Sequence, residues 1–131
     1  MERLELKLQD AIKALTSLDE VLKEPYSIYL RDATIKRFEY TFDTFWRFLK
    51  EYLIVKKGMP VNSPKDCFQE IFSHDYSSEE ETVKLLEMTD SRNETVHTYK
   101  KDLAEKIYSK IKGYYELMQK VLDRIVKDLK I

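Results

Sequence analysis

The sequence predicts an all-α protein, built as an up-and-down four-helix bundle with an additional short helix. Three observations predict this class. The 131 residues include only two glycines and three prolines, while Leu, Lys, Glu and Ile abound, a composition typical of long helices. Apolar residues recur in steps of three and four, without the alternation of strands. Cap signals separate the segments, and the length fits a single domain over residues 1–131.

The first two predicted helices carry long apolar stripes. The first stripe consists of Leu4, Leu8, Ala11, Leu15, Leu18 and Leu22, and Pro25 ends that helix soon afterwards. The second consists of Ile35, Phe38, Phe42, Phe45, Leu49 and Leu53, widened by Tyr40, Trp46, Phe48 and Tyr52. Gly58 and Pro60 stop it. Core packing explains most of this aromatic set, although a belt wider than one bundle seam is also typical of an oligomer interface.

Two cap signals predict the third and fourth helices. Ser63 and Pro64 form a strong start, with Ser at the N-cap and Pro at the first helical position. The short helix that follows carries Cys67, Phe68, Ile71 and Phe72. Ser77 or Ser78, followed by three glutamates, begins the next helix.

The final predicted helix begins near Asp102. Its stripe consists of Leu103, Ile107, Ile111, Tyr114, Met118, Leu122, Ile125 and Leu129. Gly113 interrupts this helix at a tolerable cost, because the pattern around it is strong.

The fourth helix leads into the most informative segment of the chain. If it continues through His97, one face carries Val83, Leu86, Asp90, Asn93 and His97, since steps of three and four share a face. A seam that changes from apolar to polar suggests a site, because buried polar groups must find hydrogen-bond partners.

Arg92 does not lie on that predicted face. On a continuous helix Arg92 and His97 point about 140° apart, and Arg92 shares its side with Leu85 and Met88. Either the helix breaks before His97, or a second protomer completes the site.

The residue types of this segment suit phosphate chemistry. Histidine is a residue type that can accept or donate a proton in catalysis, a role open to His97, while the planar fork of Arg92 matches phosphate oxygens. Asn93 could hold either of these side chains, or the substrate, in position. The three residues together suit metal-independent cleavage of RNA, in which the 2′-hydroxyl of the RNA attacks the phosphate. The alternative is structural: Asn93 and His97 cap a helix end, and Arg92 pairs with an acid such as Asp90.

Other features narrow the function classes. Charge is balanced, with 23 Lys and Arg against 24 Asp and Glu, so any nucleic-acid contact needs a local basic patch. Lys100, Lys101, Lys106, Lys110 and Lys112 could form one, although a solvated helix face is the simpler interpretation. The two glycines cannot build a glycine-rich phosphate loop, so the chain is not expected to bind a nucleoside triphosphate by itself.

Metal, redox and membrane chemistry find little support in the sequence. His74 and Asp75 lack the further ligands that zinc would need, and we expect neither a metal nor a cofactor. Cys67 fits a small buried core residue better than a nucleophile. The charged N-terminus lacks a signal-peptide core, and no apolar run is long enough to span a bilayer. A cytoplasmic protein is therefore expected.

A family resemblance adds to this interpretation. The residues Arg92, Asn93, His97 and Tyr99, here called the motif, resemble the Arg-x4-His-x-Tyr signature of HepT-type HEPN proteins. The segments 37–42, 63–68 and 86–93 also resemble the family once named nucleotidyltransferase substrate-binding proteins, so the likeness extends over most of the chain.

The HepT resemblance implies an HEPN-like bundle that forms a homodimer, with both motifs facing one cleft. It implies a metal-independent ribonuclease toxin in which Arg92 and His97 are catalytic and Asn93 and Asp90 supporting. A partner nucleotidyltransferase of the MntA type would neutralise it by transferring AMP to Tyr99. The older family name implies instead a non-catalytic subunit that presents a substrate to the nucleotidyltransferase. A purely structural dimer is the third possibility.

Overall fold

The computed structural model describes residues 2–129, in which five α-helices and one 3₁₀ turn are present and no strand occurs. The elements are α1 (Glu2–Leu22), α2 (Ile28–Lys57), α3 (Pro64–Ser73), α4 (Glu79–Glu94), the 3₁₀ turn (Thr95–His97) and α5 (Lys101–Leu129). Four substantial helices and one short one are as predicted. None of the described helices is long and apolar enough to cross a membrane.

Side-chain pairs fix the helix directions. Arg3 meets Glu51 and Ser17 meets Tyr40, so α1 runs antiparallel to α2. The pairs Arg31–Glu105 and Phe38–Tyr114 show that α2 and α5 run parallel. The pairs Glu87–Lys110 and Glu81–Arg124 show that α4 runs opposite to α5. The long helices therefore alternate in direction, with α3 inserted between α2 and α4.

The aromatic side chains of α2 form the centre of the core. Phe38 stacks on Tyr114 of α5 at 5.7 Å between ring centroids. Phe42 and Phe45 lie 6.0 and 6.2 Å from Phe68, which brings α3 onto α2. These rings are buried, which favours core packing as the explanation of the belt.

Caps define the helix ends at the predicted positions. Gly58 follows α2 with φ of 63° and donates its N–H to Ile54, in the left-handed conformation that glycine adopts without strain. The Ser63 hydroxyl accepts from the N–H of Asp66. Ser78 and Glu81 form a reciprocal capping box at the start of α4.

A tyrosine between α3 and α4 ties one end of the bundle together. Tyr76 is buried and donates its hydroxyl hydrogen to Asp128 of α5 at 2.7 Å. Its hydroxyl also shares a hydrogen bond with Tyr52 of α2, and its carbonyl accepts from Arg124 at 3.1 Å. This arrangement, here called the tyrosine latch, joins α2, α5 and the loop before α4.

Candidate functional site

The buried face of α4 differs from the predicted seam. Val83 is 64% exposed, and Asp90, Asn93 and His97 are exposed as well; only Leu86 packs against the edge of the core. That face is therefore largely exposed, so the argument from buried polar groups does not apply to it, and a site on this face stays a prediction.

The buried face of α4 contains threonines, which is why a search for apolar residues alone could not identify it. The inward side of α4 is formed by Thr82, Leu85, Met88 and Thr89. The Thr89 hydroxyl donates to the carbonyl of Leu85, and the Thr82 hydroxyl donates to that of Ser78. Because these hydroxyls are satisfied within their own helix, they can be buried without cost from an unpaired donor.

Arg92 continues this inward side, as its predicted place beside Leu85 and Met88 requires. Its Nε donates to Asp43 Oδ1 at 3.2 Å and its Nη2 to Asp43 Oδ2 at 3.0 Å. Glu39, one turn earlier on α2, lies 3.8 Å from Nη1. This two-point pairing orients the guanidinium towards α2, and the bond with Asp43 raises the pKa of Arg92 above its ordinary value.

The carboxylates of α2 are the partners that the sequence did not reveal. The structural alternative paired Arg92 with Asp90, but Asp90 instead binds Lys65 of α3 at 2.8 Å. Asp43 and Glu39 stand four residues apart beside an apolar stripe, and that spacing is the only sequence signal they give. The contact between α2 and α4 that pairs them with Arg92 is long-range and has no local signature.

The helix breaks between Arg92 and His97, which is one of the two predicted alternatives. α4 ends at Glu94, and the 3₁₀ turn follows. The Thr95 hydroxyl donates to the carbonyl of Arg92 at 2.8 Å and accepts from Arg92 Nη1 at 3.1 Å. The Thr98 hydroxyl donates to the carbonyl of Thr95. At this helix end the side chains that hydrogen-bond the backbone carbonyls are thus those of Thr95 and Thr98, not those of Asn93 and His97.

The rest of the motif, in the turn and on either side of it, is exposed to solvent. His97 is exposed, and its ring meets that of Tyr99 edge to face at 6.0 Å between centroids. Tyr99 is 77% exposed and Val96 is 67% exposed. The structure therefore brings His97 together with Tyr99, and Arg92 together with Asp43, as two separate pairs.

The charges around Arg92 nearly balance. Asp43 and Glu39 face Arg92, and Lys36 lies 3.5 Å from Glu39 on the same helix. An incoming phosphate would compete with the carboxylate that already holds the guanidinium at two points. The arginine therefore acts as a structural link between α2 and α4.

The other residues considered in the sequence as nucleophile, metal ligand or basic patch have structural roles or ordinary ion pairs. Cys67 is fully buried, as predicted, and its thiol points to the carbonyl of Trp46 at 3.9 Å. His74 lies 3.5 Å from Glu70 at the end of α3. Over residues 2–129, His, Cys, Asp and Glu side chains form no group of three suited to a metal ion. Of the predicted lysine patch, Lys110 is paired with Glu87 at 3.1 Å.

Comparison with known proteins places this bundle in a family. Residues 6–127 match the family model described as "Nucleotidyltransferase substrate binding protein like". The chain belongs to this family. Among curated proteins, no sequence matches the chain. The match covers nearly the whole bundle, and it agrees with the resemblance to nucleotidyltransferase substrate-binding proteins noted from the sequence.

Two solved structures are similar to this member of the nucleotidyltransferase substrate-binding-like family. A protein from Thermus thermophilus is 41% identical, with a TM-score of 0.84 over 88% of this chain and 98% of its own. A Haemophilus influenzae protein, described as revealing the fold of a substrate-binding domain of a nucleotidyltransferase, is 20% identical. Its TM-score is 0.72 over 90% of this chain and 98% of its own, which supports the fold.

Proposed function

We propose that this chain is the non-catalytic, substrate-binding subunit of a two-component nucleotidyltransferase. The family match over residues 6–127 supports a nucleotidyltransferase partner. The observation that carries the non-catalytic part is the two-point pairing of Arg92 with Asp43. A guanidinium held in this way links two helices and is poorly available to a phosphate in a transition state.

The exposed 3₁₀ turn is the proposed contact with the partner. Val96, His97 and Tyr99 project from the bundle next to one another in sequence and are exposed. The charges around Arg92 balance one another. The substrate that the chain presents to its partner beside this turn is therefore expected to be polar, bound through hydrogen bonds, and without a large net charge.

A second candidate follows the HepT resemblance: a homodimeric ribonuclease toxin, neutralised by AMP on Tyr99 from an MntA-type nucleotidyltransferase. One observation favours it. The hydroxyl of Tyr99 belongs to a side chain that is 77% exposed and adjoins His97, so a modifying enzyme can reach it, and a bound AMP would add negative charge to any RNA-binding cleft. In this candidate a second protomer brings its own motif to His97, and Arg92 must leave Asp43.

One expression experiment separates the two candidates. Wild type, Arg92→Lys, His97→Ala and His74→Ala are each expressed alone, with growth and total RNA integrity as readouts. His74→Ala is the matched control, because the chain has only two histidines. The substrate-binding proposal expects all four strains to grow alike with intact RNA. Slow growth and fragmented RNA in wild type and His74→Ala, but not in His97→Ala, would overturn it in favour of the toxin.

A co-expression experiment tests the partner. The tagged chain is co-expressed with the proposed partner, a small nucleotidyltransferase sought in the neighbouring reading frames, and both the recovered complex and the mass of the chain are measured. The substrate-binding proposal expects a stable complex with no added mass. An increase by one or more AMP units at Tyr99, absent in Tyr99→Phe, would support the toxin candidate. Failure to recover any complex would contradict the substrate-binding proposal, and failure together with an unchanged mass would contradict both.

A further inference from the structure

A groove between the first half of α1 and the second half of α2 gathers unpaired positive charge. It has a volume of about 300 Å³ and is lined by Arg3, Lys7, Trp46, Arg47, Lys50, Glu51 and Ile54. Four cations thus face one carboxylate, in a chain whose formal net charge is −1. Such a local excess attracts anions although the whole molecule does not.

The charges in this groove are not neutralised by the protein itself. Glu51 binds Arg3 at 3.3 Å. Within residues 2–129, no carboxylate lies within the 4.0 Å ion-pair distance of Lys7, Arg47 or Lys50. Bringing like charges together without counter-charges costs free energy. An anionic ligand bound in the groove would remove that cost.

The groove also has an apolar wall. The ammonium of Lys50 lies 5.7 Å from the ring centroid of Trp46, and both side chains are half-buried. Ile54, two turns along α2 from Trp46, is 42% exposed. An indole and an aliphatic side chain beside three unpaired cations suit a ligand that joins an aromatic ring to several phosphates.

We propose that this groove binds a nucleoside polyphosphate, with the phosphates on Lys7, Arg47 and Lys50 and the base against Trp46 and Ile54. The volume fits one small ligand, at the lower end of about 300–1,000 Å³ for such sites. Absence of a glycine-rich loop excludes a site made of backbone N–H groups, but side-chain cations do not need one. The proposal does not rest on the proposed function, because it uses none of the motif residues.

The test uses the full chain alone and its single tryptophan. Because the Lys50 ammonium lies over Trp46, phosphate binding at Lys50 changes the surroundings of the indole and hence its fluorescence. ATP is titrated at low salt, alongside tripolyphosphate, adenosine and an oligonucleotide of about ten residues. We expect saturable binding of ATP that weakens as salt is raised. Tripolyphosphate is expected to bind more weakly, and adenosine not to bind at millimolar concentration. A fluorescent ATP analogue followed by anisotropy provides a second readout.

Two matched charge reversals locate the site. Arg47 in the groove and Lys120 on α5 are both exposed helix positions, so Arg47→Glu and Lys120→Glu change the net charge equally. Arg47→Glu should weaken ATP binding by about tenfold or more, whereas Lys120→Glu should change it by less than about twofold. His97→Ala should bind as wild type.

Three outcomes would overturn the proposal: no saturable ATP binding by either readout, equal weakening by both charge reversals, or binding of the oligonucleotide without ATP. None of them bears on complex formation with the nucleotidyltransferase, so failure of this inference is distinguishable from failure of the proposed function.

Discussion

At the scale of single residues, the partner of a charged side chain decides its role. Arg92 and Asp43 come from helices α4 and α2, and their bonds of 3.2 and 3.0 Å join the two. Asp90 and Lys65 make an ion pair of similar length, 2.8 Å, but their side chains are 59% and 48% exposed. Water therefore screens the second pair more than the first, although the distances resemble each other.

We predict that Asp43→Asn lowers the free energy of unfolding by about 1 kcal/mol, because it leaves Arg92 with a weakened partner. Asp90→Asn should lower it by less than about 0.5 kcal/mol, since an exposed pair contributes little. Urea denaturation of both variants and wild type provides the measurement. Equal losses, or a larger loss for Asp90→Asn, would show that Arg92 is not held by Asp43 in solution.

The sequence could single out the residues of the motif but not predict how they are arranged. Helical geometry alone placed Arg92 away from His97 and required either a break between them or a second protomer, and the 3₁₀ turn is such a break. The carboxylates that hold Arg92 could not be foreseen, because two helices separated by α3 bring them together. Thr95 was missed because threonine at a helix end is common and gives no distinctive signal.

At the scale of elements, the two glycines of the chain play opposite parts. Gly58 ends α2 with φ of 63°, and a Cβ placed there would meet nothing within 4 Å. Gly113 lies within α5, where a Cβ would lie 3.7 Å from Lys84 Nζ, an ordinary contact. Replacing Gly58 by alanine would therefore cost only backbone strain. Replacing Gly113 by alanine would mainly reduce the backbone entropy of the unfolded chain and so stabilise the fold.

We predict that Gly113→Ala raises the free energy of unfolding by about 0.5–1 kcal/mol, through higher helix propensity and a less flexible unfolded chain. Gly58→Ala should lower it by about 1 kcal/mol, because alanine is strained in the left-handed region. Thermal unfolding of the two variants, followed by circular dichroism, should give shifts of opposite sign. Shifts of the same sign would contradict this assignment of roles.

Element boundaries were predictable wherever a side chain caps the helix. Ser63, Ser78 and Gly58 mark ends that the structure confirms. The inward face of α4 was not predictable in the same way, because its threonines count as polar in any pattern while Val83 counts as apolar. The contrast is physical: a cap is a local interaction, whereas the burial of a face depends on what packs against it.

At the scale of the whole molecule, the core is continuous from α1 to α5 and includes the short helix α3. Cys67 of α3 is fully buried next to the backbone of Trp46, and burial raises the pKa of its thiol to about 12, from an ordinary value of 9.0. Its reactivity therefore reports on whether α3 is seated on α2.

We predict that the native chain resists labelling by a maleimide even as the pH rises to about 9, because the thiolate is scarce and the sulfur is covered. In urea the same chain should react rapidly. With a single cysteine, mass spectrometry measures the labelled fraction without ambiguity. Labelling of the native chain as fast as of the unfolded chain would mean that α3 opens independently of the bundle.

The tyrosine latch has a consequence for how such a protein can change over evolutionary time. It closes the end of the bundle where α5 finishes, whereas Val96, His97 and Tyr99 project at the opposite end. Substitutions among those exposed residues remove few packed contacts, so they change the stability of the fold little and can accumulate during evolution. Descendants of one ancestral bundle can thus acquire different binding preferences at one end while inheriting an unaltered framework at the other.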